Sequence, residues 1–462
     1  MSFYRLPAEI VLLILDCIDT IPILKNFCLT SRKCRAVAQP LLYREIILAA
    51  KDLPLSVLLL CRTVTTCPLI AAQIRLLDID TEKSGFTVTA AEVKRRGLSV
   101  ADLRLLKIEA QNLKLNSGES FDSRFWATDS IILPVLLISR CQNLRELFIT
   151  LDPAGLSLLT GLAQARTEDN SSQLLSCLGS VEILHLGCFQ DCHGGGIEIS
   201  NITLLLSLLH LSKIQISDYA SNELHPWKEI DAVESPLGSL SIATISLCLC
   251  SIRAAEVGEL VKSCKELASF YCGQSDSQPE QLNPYELYSQ LFCQRSSLRV
   301  LQLSFQDDPM VVSASPIFTA SECGSLREFG SLEYLTIDQL YLGNAPELPS
   351  SLTYLSVQNC QTPIAEVLAY LAQVALTGHF PSLKRVSLHT SRFYPGGMLD
   401  LPRIGATDVL FNAACQKLRR SFKETKIKLY LESDLLDVTS QGYADAFEFG
   451  HPGGFWPFIY VQ

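Results

Sequence analysis

Two hydrophobic periods divide this chain of 462 residues. Near its beginning the period is helical. Ile10, Leu13, Ile14 and Cys17 fall at i, i+3, i+4 and i+7, which predicts a helix with one apolar stripe. Pro7 suits its first position, where a missing N–H costs nothing, and Glu9 lies where negative charge suits the helix dipole. Thr20 to Asn26 predicts a second short helix anchored by Leu24. Thr30 or Ser31 can cap a third, which turns Arg32, Lys33 and Arg35 outward and Cys34, Val37 and Ala38 inward. Pro40 is expected to stop it, and Leu41, Leu42, Tyr43 and Ile46 to close the unit. Lys51 to Gln73 reads as a bridging helical segment. It runs into Ile74–Ile79, where the period changes to the alternation of a strand.

From there one pattern recurs, L-x-x-L-x-L. Its clearest copies start at Leu144, Val181, Leu298, Leu332, Leu352 and Leu383. Weaker copies run over Leu103 to Ile108, Leu211 to Ile216, Ile242 to Leu247 and Leu267 to Cys272. Ile427, Leu429 and Leu431 can form a last strand. Helix-like apolar runs precede many copies, such as Ile131 to Gln142 and Val257 to Glu266. In a strand the fourth and sixth positions share one face and point to a core, while the residues between them point away. The pattern, with starts spaced by roughly thirty residues, resembles the longer leucine-rich repeats. That resemblance implies a solenoid: a curved parallel sheet with outer helices. A doubly wound α/β domain is the alternative, but it rarely holds roughly eleven strands in one sheet. Of the asparagine ladder common in such repeats, only Asn359-Cys360 is found at the usual position.

The helical beginning resembles an F-box. The resemblance rests on Leu6-Pro7, Glu9-Ile10, Ile14-Leu15, Ile18, Leu24, Cys28-Leu29, Ser31-Arg32 and Pro40-Leu41-Leu42-Tyr43-Arg44. The closing LLYR followed by Ile46 is similar to the fungal branch of that family. Membership would imply docking onto a Skp-type adaptor and, through it, a cullin of an SCF-type ubiquitin ligase. Roughly forty residues bury too little surface to be very stable alone, so an exposed apolar stripe on such a unit asks for a partner. The resemblance gives Leu6, Pro7, Ile10, Ile14 and Leu24 as adaptor-binding anchors. Which of them face the adaptor and which face inward is open at this level.

Charge and composition narrow the partners. A net charge of −10 argues against nucleic acid, and the basic runs Lys94–Arg96 and Lys417–Arg420 read as solvated helix faces. Charged residues make up 19% and hydrophobic residues 48%, a balance that disfavours long disorder. The apolar runs Ile10–Leu15 and Ile202–Leu211 are too short for a bilayer span, so no membrane partner is expected. Seventeen cysteines without a signal sequence read as reduced, mostly buried thiols, hence a cytoplasmic or nuclear protein. The sequons at Asn170 and Asn201 would then go unglycosylated.

No catalytic set emerges. His193–Gly196 matches the oxyanion tetrapeptide of lipases, but the chain has no G-x-S-x-G elbow, and a glycine turn explains the segment better. Cys188, Cys192 and His193 lack a second ligand pair at zinc spacing. Cys248 and Cys250, at period two, read as core or surface thiols. No metal, cofactor or enzymatic activity is expected. Polar insertions at Gln164–Gln173, Ser217–Pro236, Gly273–Pro284 and Ser391–Gly405 read as loops. The aromatic tail Gly442–Gln462 reads as a cap over the last repeat or as a target-contacting cluster.

The expected organisation is thus α/β: an F-box over residues 1–47, a helical bridge over 48–73, an irregular leucine-rich-repeat-like solenoid over 74–431 and an aromatic C-terminal cap over 432–462. The expected function is a non-catalytic substrate receptor, with the repeats holding an unidentified protein target. The alternative is a non-ligase interaction scaffold whose N-terminal helices cap the solenoid.

Overall fold

The computed structural model describes residues 6–18, 20–48, 53–79, 95, 98–112, 132–151, 179–188, 206, 210–217, 238–248, 250, 252–274, 284–305, 324–343, 345–358, 360, 364–389 and 419–431. The chain divides into two units, Met1–Leu282 and Asn283–Gln462. This boundary falls inside the expected repeat region. The HGGG segment, Cys192, Asn359, the Ser391–Gly405 loop and the aromatic tail lie outside the described residues.

The first unit opens on three helices, α1 (Ala8–Asp16), α2 (Ile21–Thr30) and α3 (Arg32–Leu42), followed by β1 (Glu45–Leu48). Then come α4 (Leu53–Thr66), α5 (Pro68–Ala71), β2 (Leu76–Ile79), α6 (Val100–Asn112) and α7 (Ile132–Arg140). The unit continues through β3 (Glu146–Leu151), β4 (Ile183–Cys188), β5 (Lys213–Ser217), β6 (Thr244–Cys248), α8 (Ala254–Ser263) and β7 (Ser269–Gln274). Strands β1 to β7 stand in sequence order, each parallel to the next. A doubly wound sheet reverses its order partway; this one does not.

Register explains the leucine pattern. Leu77, Leu147, Leu184, Ile214, Ile245 and Phe270 stand opposite one another across successive strands and are all buried. Ile79, Ile149, Leu186, Ile216, Leu247 and Cys272 form a second buried column. The first residue of each copy adds a third, since Leu144, Val181, Leu211, Ile242 and Leu267 are buried as well. Just before each strand the backbone repeats one device. The amides of Arg145 and Glu146 donate to the Arg75 carbonyl, those of Glu182 and Ile183 to Arg145, and those of Ser212 and Lys213 to Glu182. Three apolar side chains per copy, held by identical backbone bonds, make each strand a template for the next.

The second unit follows the same rule. It contains α9 (Pro284–Leu291), β8 (Val300–Phe305), β9 (Tyr334–Asp338), the short α10 (Gln339–Leu342), β10 (Tyr354–Gln358), α11 (Ile364–Leu376), β11 (Arg385–Leu388) and β12 (Lys428–Leu431). Strands β8 to β12 are again parallel and sequential. Leu301, Leu335, Leu355 and Val386 align as one buried column. Helix α11 ends in a turn where Gly378 adopts φ of +83°, a left-handed conformation that costs other residues about 1 kcal/mol or more. In the segments that precede β8 and β9, Tyr288, Phe292 and Phe329 meet as tilted and edge-on rings 5.7–6.2 Å apart.

Five sequence expectations need correction. Leu103 to Ile108 is helical, inside α6. Ser99 and Asp102 cap that helix reciprocally, the Ser99 amide donating to Asp102 Oδ2 at 2.7 Å and the Asp102 amide to Ser99 Oγ at 3.1 Å. Leu106 and Ala110 then bury on one helical face. Glu45–Leu48 is the first strand rather than the close of the helical unit, paired with β2 from Glu45↔Leu76 to Leu48↔Ile79. Pro7 is the N-cap of α1, not its first helical residue, because its carbonyl accepts from the Val11 amide. Pro40 does not stop α3, which runs on to Leu42. A proline removes one hydrogen bond near a helix end, and here Leu41 and Leu42 keep the last turn packed on the core. Helix α2 also extends to Thr30, four residues beyond the expected Asn26.

Candidate functional site

The helical beginning packs around a small core of Val11, Leu15, Leu24, Cys28 and Ala38, with Leu6, Ile18, Phe27, Val37, Leu41 and Leu42 partly buried against it. Helix α3 packs on both α1 and α2. Ser31 starts α3 by accepting a bond from the Cys34 amide at 3.0 Å, as its position in the sequence suggested. Arg44 reaches back to Asp16 at 3.5 Å, an exposed ion pair contributing at most about 1 kcal/mol.

Helix α1 is apolar almost all round, AEIVLLILD, and carries two stripes. Val11 and Leu15 turn into the core. Ile10, Leu13, Ile14 and Cys17, the stripe prominent in the sequence, turn to solvent. Leu13 is 63% exposed. Helix α2 behaves alike, burying Leu24 and Cys28 and exposing Ile21, Ile23 and Leu29. Of the five residues expected as anchors, Ile10, Ile14 and Pro7 are exposed, Leu6 is partly buried, and Leu24 is sequestered in the bundle core. Leu12, Leu13, Ile21, Ile23 and Leu29 were absent from that set but are exposed apolar side chains of the same two helices. The signal that could have found them is hydrophobicity on every face of a helix too short and too peripheral to be enclosed.

The sheets provide the second surface. On the outward positions of the first unit, Asp78, Phe148, His185, Gln215 and Ser246 align in register. Phe148 and His185 stack with centroids 3.8 Å apart and planes 10° apart. Burial pulls the His185 pKa down to about 4, the Lys213 charge adds to the fall, and a hydrogen bond with Gln215 opposes it. The imidazole is therefore neutral at physiological pH and acts as a flat, half-buried ring. Burial also raises the Tyr271 phenol above its ordinary range, against a hydrogen bond with Ser269. At the N-terminal ends of β2 to β5 lies an open depression of about 350 Å³ lined by Arg75, Asn143, Arg145, Ser180, Glu182 and His210. Arg145 sits 3.7 Å from Glu182, and Arg75 donates to the Asn143 carbonyl at 3.3 Å.

In the second unit the outward face is aromatic and cationic. The guanidinium of Arg385 lies 5.3 Å from the Tyr354 ring and 4.2 Å from the Tyr430 ring, and Tyr334 adjoins Tyr354 at 6.2 Å. Arg385 Nε donates to Ser387 Oγ at 3.3 Å.

Twelve cysteines of the described residues, Cys61 and Cys272 among them, are free thiols. Cys61 and Cys272 are buried, and burial pushes both thiols up, Cys272 to about 12. Among the described residues no group of three or more His, Cys, Asp and Glu is arranged to hold a metal ion. No helix of the described residues is long and apolar enough to cross a membrane.

The chain matches no protein-family model, and no curated protein matches it.

Proposed function

We propose that this protein is a substrate receptor of an SCF-type cullin–RING ubiquitin ligase. The α1–α3 bundle binds a Skp-type adaptor and, through it, the cullin, and the outward faces of the repeat-like sheets hold a target protein. One observation carries the reading. The bundle has filled its own core and still presents Ile10, Leu13, Ile14, Ile21, Ile23 and Leu29 to solvent. Apolar patches rimmed by polar residues mark protein–protein contacts, and helices commonly seat such anchors in a partner's groove. The order of motifs resembling an F-box supplies the identity of that partner. The receptor performs no chemistry in this reading; it raises the target's effective concentration beside the charged ubiquitin carrier.

A second reading, a non-ligase scaffold, draws on β1. That strand follows α3 within three residues and joins β2, so the bundle is continuous with the start of the sheet, as a solenoid cap would be. A pure cap, however, would bury the α1 stripe that this chain leaves open.

Capture of a purified Skp-type adaptor by the full chain tests the proposal. Wild type is expected to bind. The double substitution Leu13→Glu with Ile14→Glu is expected to weaken binding at least 100-fold with an unchanged circular dichroism spectrum, because both side chains are already exposed. Equal capture by a chain lacking residues 1–48 would show that the bundle is not the docking module.

A further inference from the structure

The second unit carries a concentration of positive charge that the acidic chain as a whole does not predict. The net charge is −10. Yet Arg420, Lys423, Lys426 and Lys428 crowd the segment leading into β12, with Glu424 the one acid among them, and all of them are exposed. Lys428 stands directly beside Arg385 in the ladder between β11 and β12, and the exposed Lys384 immediately precedes Arg385. Like charges at neighbouring ladder positions repel and lower stability. Among the described residues no carboxylate forms an ion pair with Lys384, Arg385 or Lys428.

Arg385 is also held in an orientation suited to a ligand. It lies between two tyrosine rings and is tethered by the Nε bond to Ser387. Its terminal nitrogens have no hydrogen-bond partner among the described residues. An arginine held between aromatic rings, with that edge open, forks a carboxylate and loses little entropy in doing so. Tyr334, Tyr354 and Tyr430 are half-buried on the same outward face. Tyrosine and arginine are the residue types that dominate binding energy at protein interfaces.

We infer that this tyrosine–arginine ladder of β9 to β12 seats a glutamate- or aspartate-rich segment of a protein partner. One carboxylate pairs with Arg385, flanking ones meet Lys384 and Lys428, and apolar parts of the segment lie on the tyrosines. Charge complementarity selects this occupant: the surface is cationic in an anionic molecule, and its like-charged neighbours gain stability when an anion comes between them. The inference deepens the receptor reading by naming the class of target segment, and it rests on that reading only for its biological setting.

The test is fluorescence anisotropy with the full chain and a fluorescein-labelled decapeptide of alternating glutamate and leucine. Its counterpart with glutamine in place of glutamate and a ten-nucleotide oligouridylate are the comparison probes. The expected result is binding of the glutamate peptide at least tenfold tighter than either comparison probe, weakening as salt rises. Arg385→Gln should lose at least tenfold, and Arg385→Lys should fall between the two, because it keeps the charge without the fork. Lys428→Gln, at an exposed site that tolerates substitution, should lose several-fold. Equal binding of the glutamate and glutamine peptides, preference for the oligouridylate, or failure of the wild-type chain to bind the glutamate peptide would each overturn the inference. Adaptor capture measured on the same preparations separates its failure from that of the ligase reading, because the bundle and the ladder are different sites.

Discussion

Leu13 and Leu15 sit two residues apart on α1, and the proposed function requires them to behave oppositely. Leu15 is 1% exposed and belongs to the bundle core with Val11, Leu24, Cys28 and Ala38. Leu15→Ala should therefore cost the folded bundle about 2–5 kcal/mol, the transfer term plus a cavity that so small a core cannot refill. Leu13 is 63% exposed, so folding has buried only about a third of it. With about 1.5–3 kcal/mol for full burial of a leucine, Leu13→Ala should cost folding no more than about 1 kcal/mol. The remaining two-thirds is what an adaptor would cover, about 1–2 kcal/mol, or roughly a 5- to 30-fold rise in Kd. Hydrogen exchange of the α1–α3 amides reads the folding side locally, which matters in a chain of two units where one global unfolding free energy is not defined. Biolayer interferometry against the Skp-type adaptor reads the binding side. The reasoning fails if Leu13→Ala accelerates exchange as much as Leu15→Ala, or if it leaves adaptor affinity at the wild-type value.

Two further outcomes follow from the titrating and thiol groups. His185 has a folded pKa lowered to about 4 from an ordinary value near 6.5, so between those pH values the unfolded chain takes up a proton that the folded chain refuses. Its contribution is complete above pH 6.5 and is lost as the pH falls toward 4, reaching about 3 kcal/mol; His185→Phe should flatten this part of the stability–pH curve of the first unit, and an imidazole NMR titration midpoint near 6.5 would refute the assignment. Among the cysteines whose side chains are described, an alkylating reagent under native conditions should label Cys17, Cys67 and Cys293 first, while Cys61 and Cys272 label only on unfolding; mass spectrometry of the labelled peptides gives the order, and early labelling of Cys272 would contradict its burial.

Much of the strand architecture was legible because its signal is local. In copies such as Leu144–Ile149 and Leu352–Val357, the apolar residues at the fourth and sixth positions leave a strand only one way to face a core, and register follows from burying them together. Helix α7 before β3 and helix α8 before β7 were legible from apolar runs, and the start of α3 from Ser31. The strand at Glu45–Leu48 was not, since four residues with two half-buried apolar side chains read equally well as the end of the preceding helices. Leu103–Ile108 carries the same leucines as the true strands, and only the Ser99–Asp102 cap distinguishes it.

What the chain determined on its own was therefore periodicity: a helical beginning, parallel strands met in sequence order, and three inward positions per copy. Tertiary structure decided which of two apolar stripes on α1 is enclosed, because a helix greasy on every side has no periodic preference and the packing of α2 and α3 makes the choice. It also decided that Tyr334, Tyr354, Arg385 and Tyr430, spread over nearly a hundred residues of sequence, share one surface. Only the in-register stacking of parallel strands brings side chains so far apart in the chain within reach of one another.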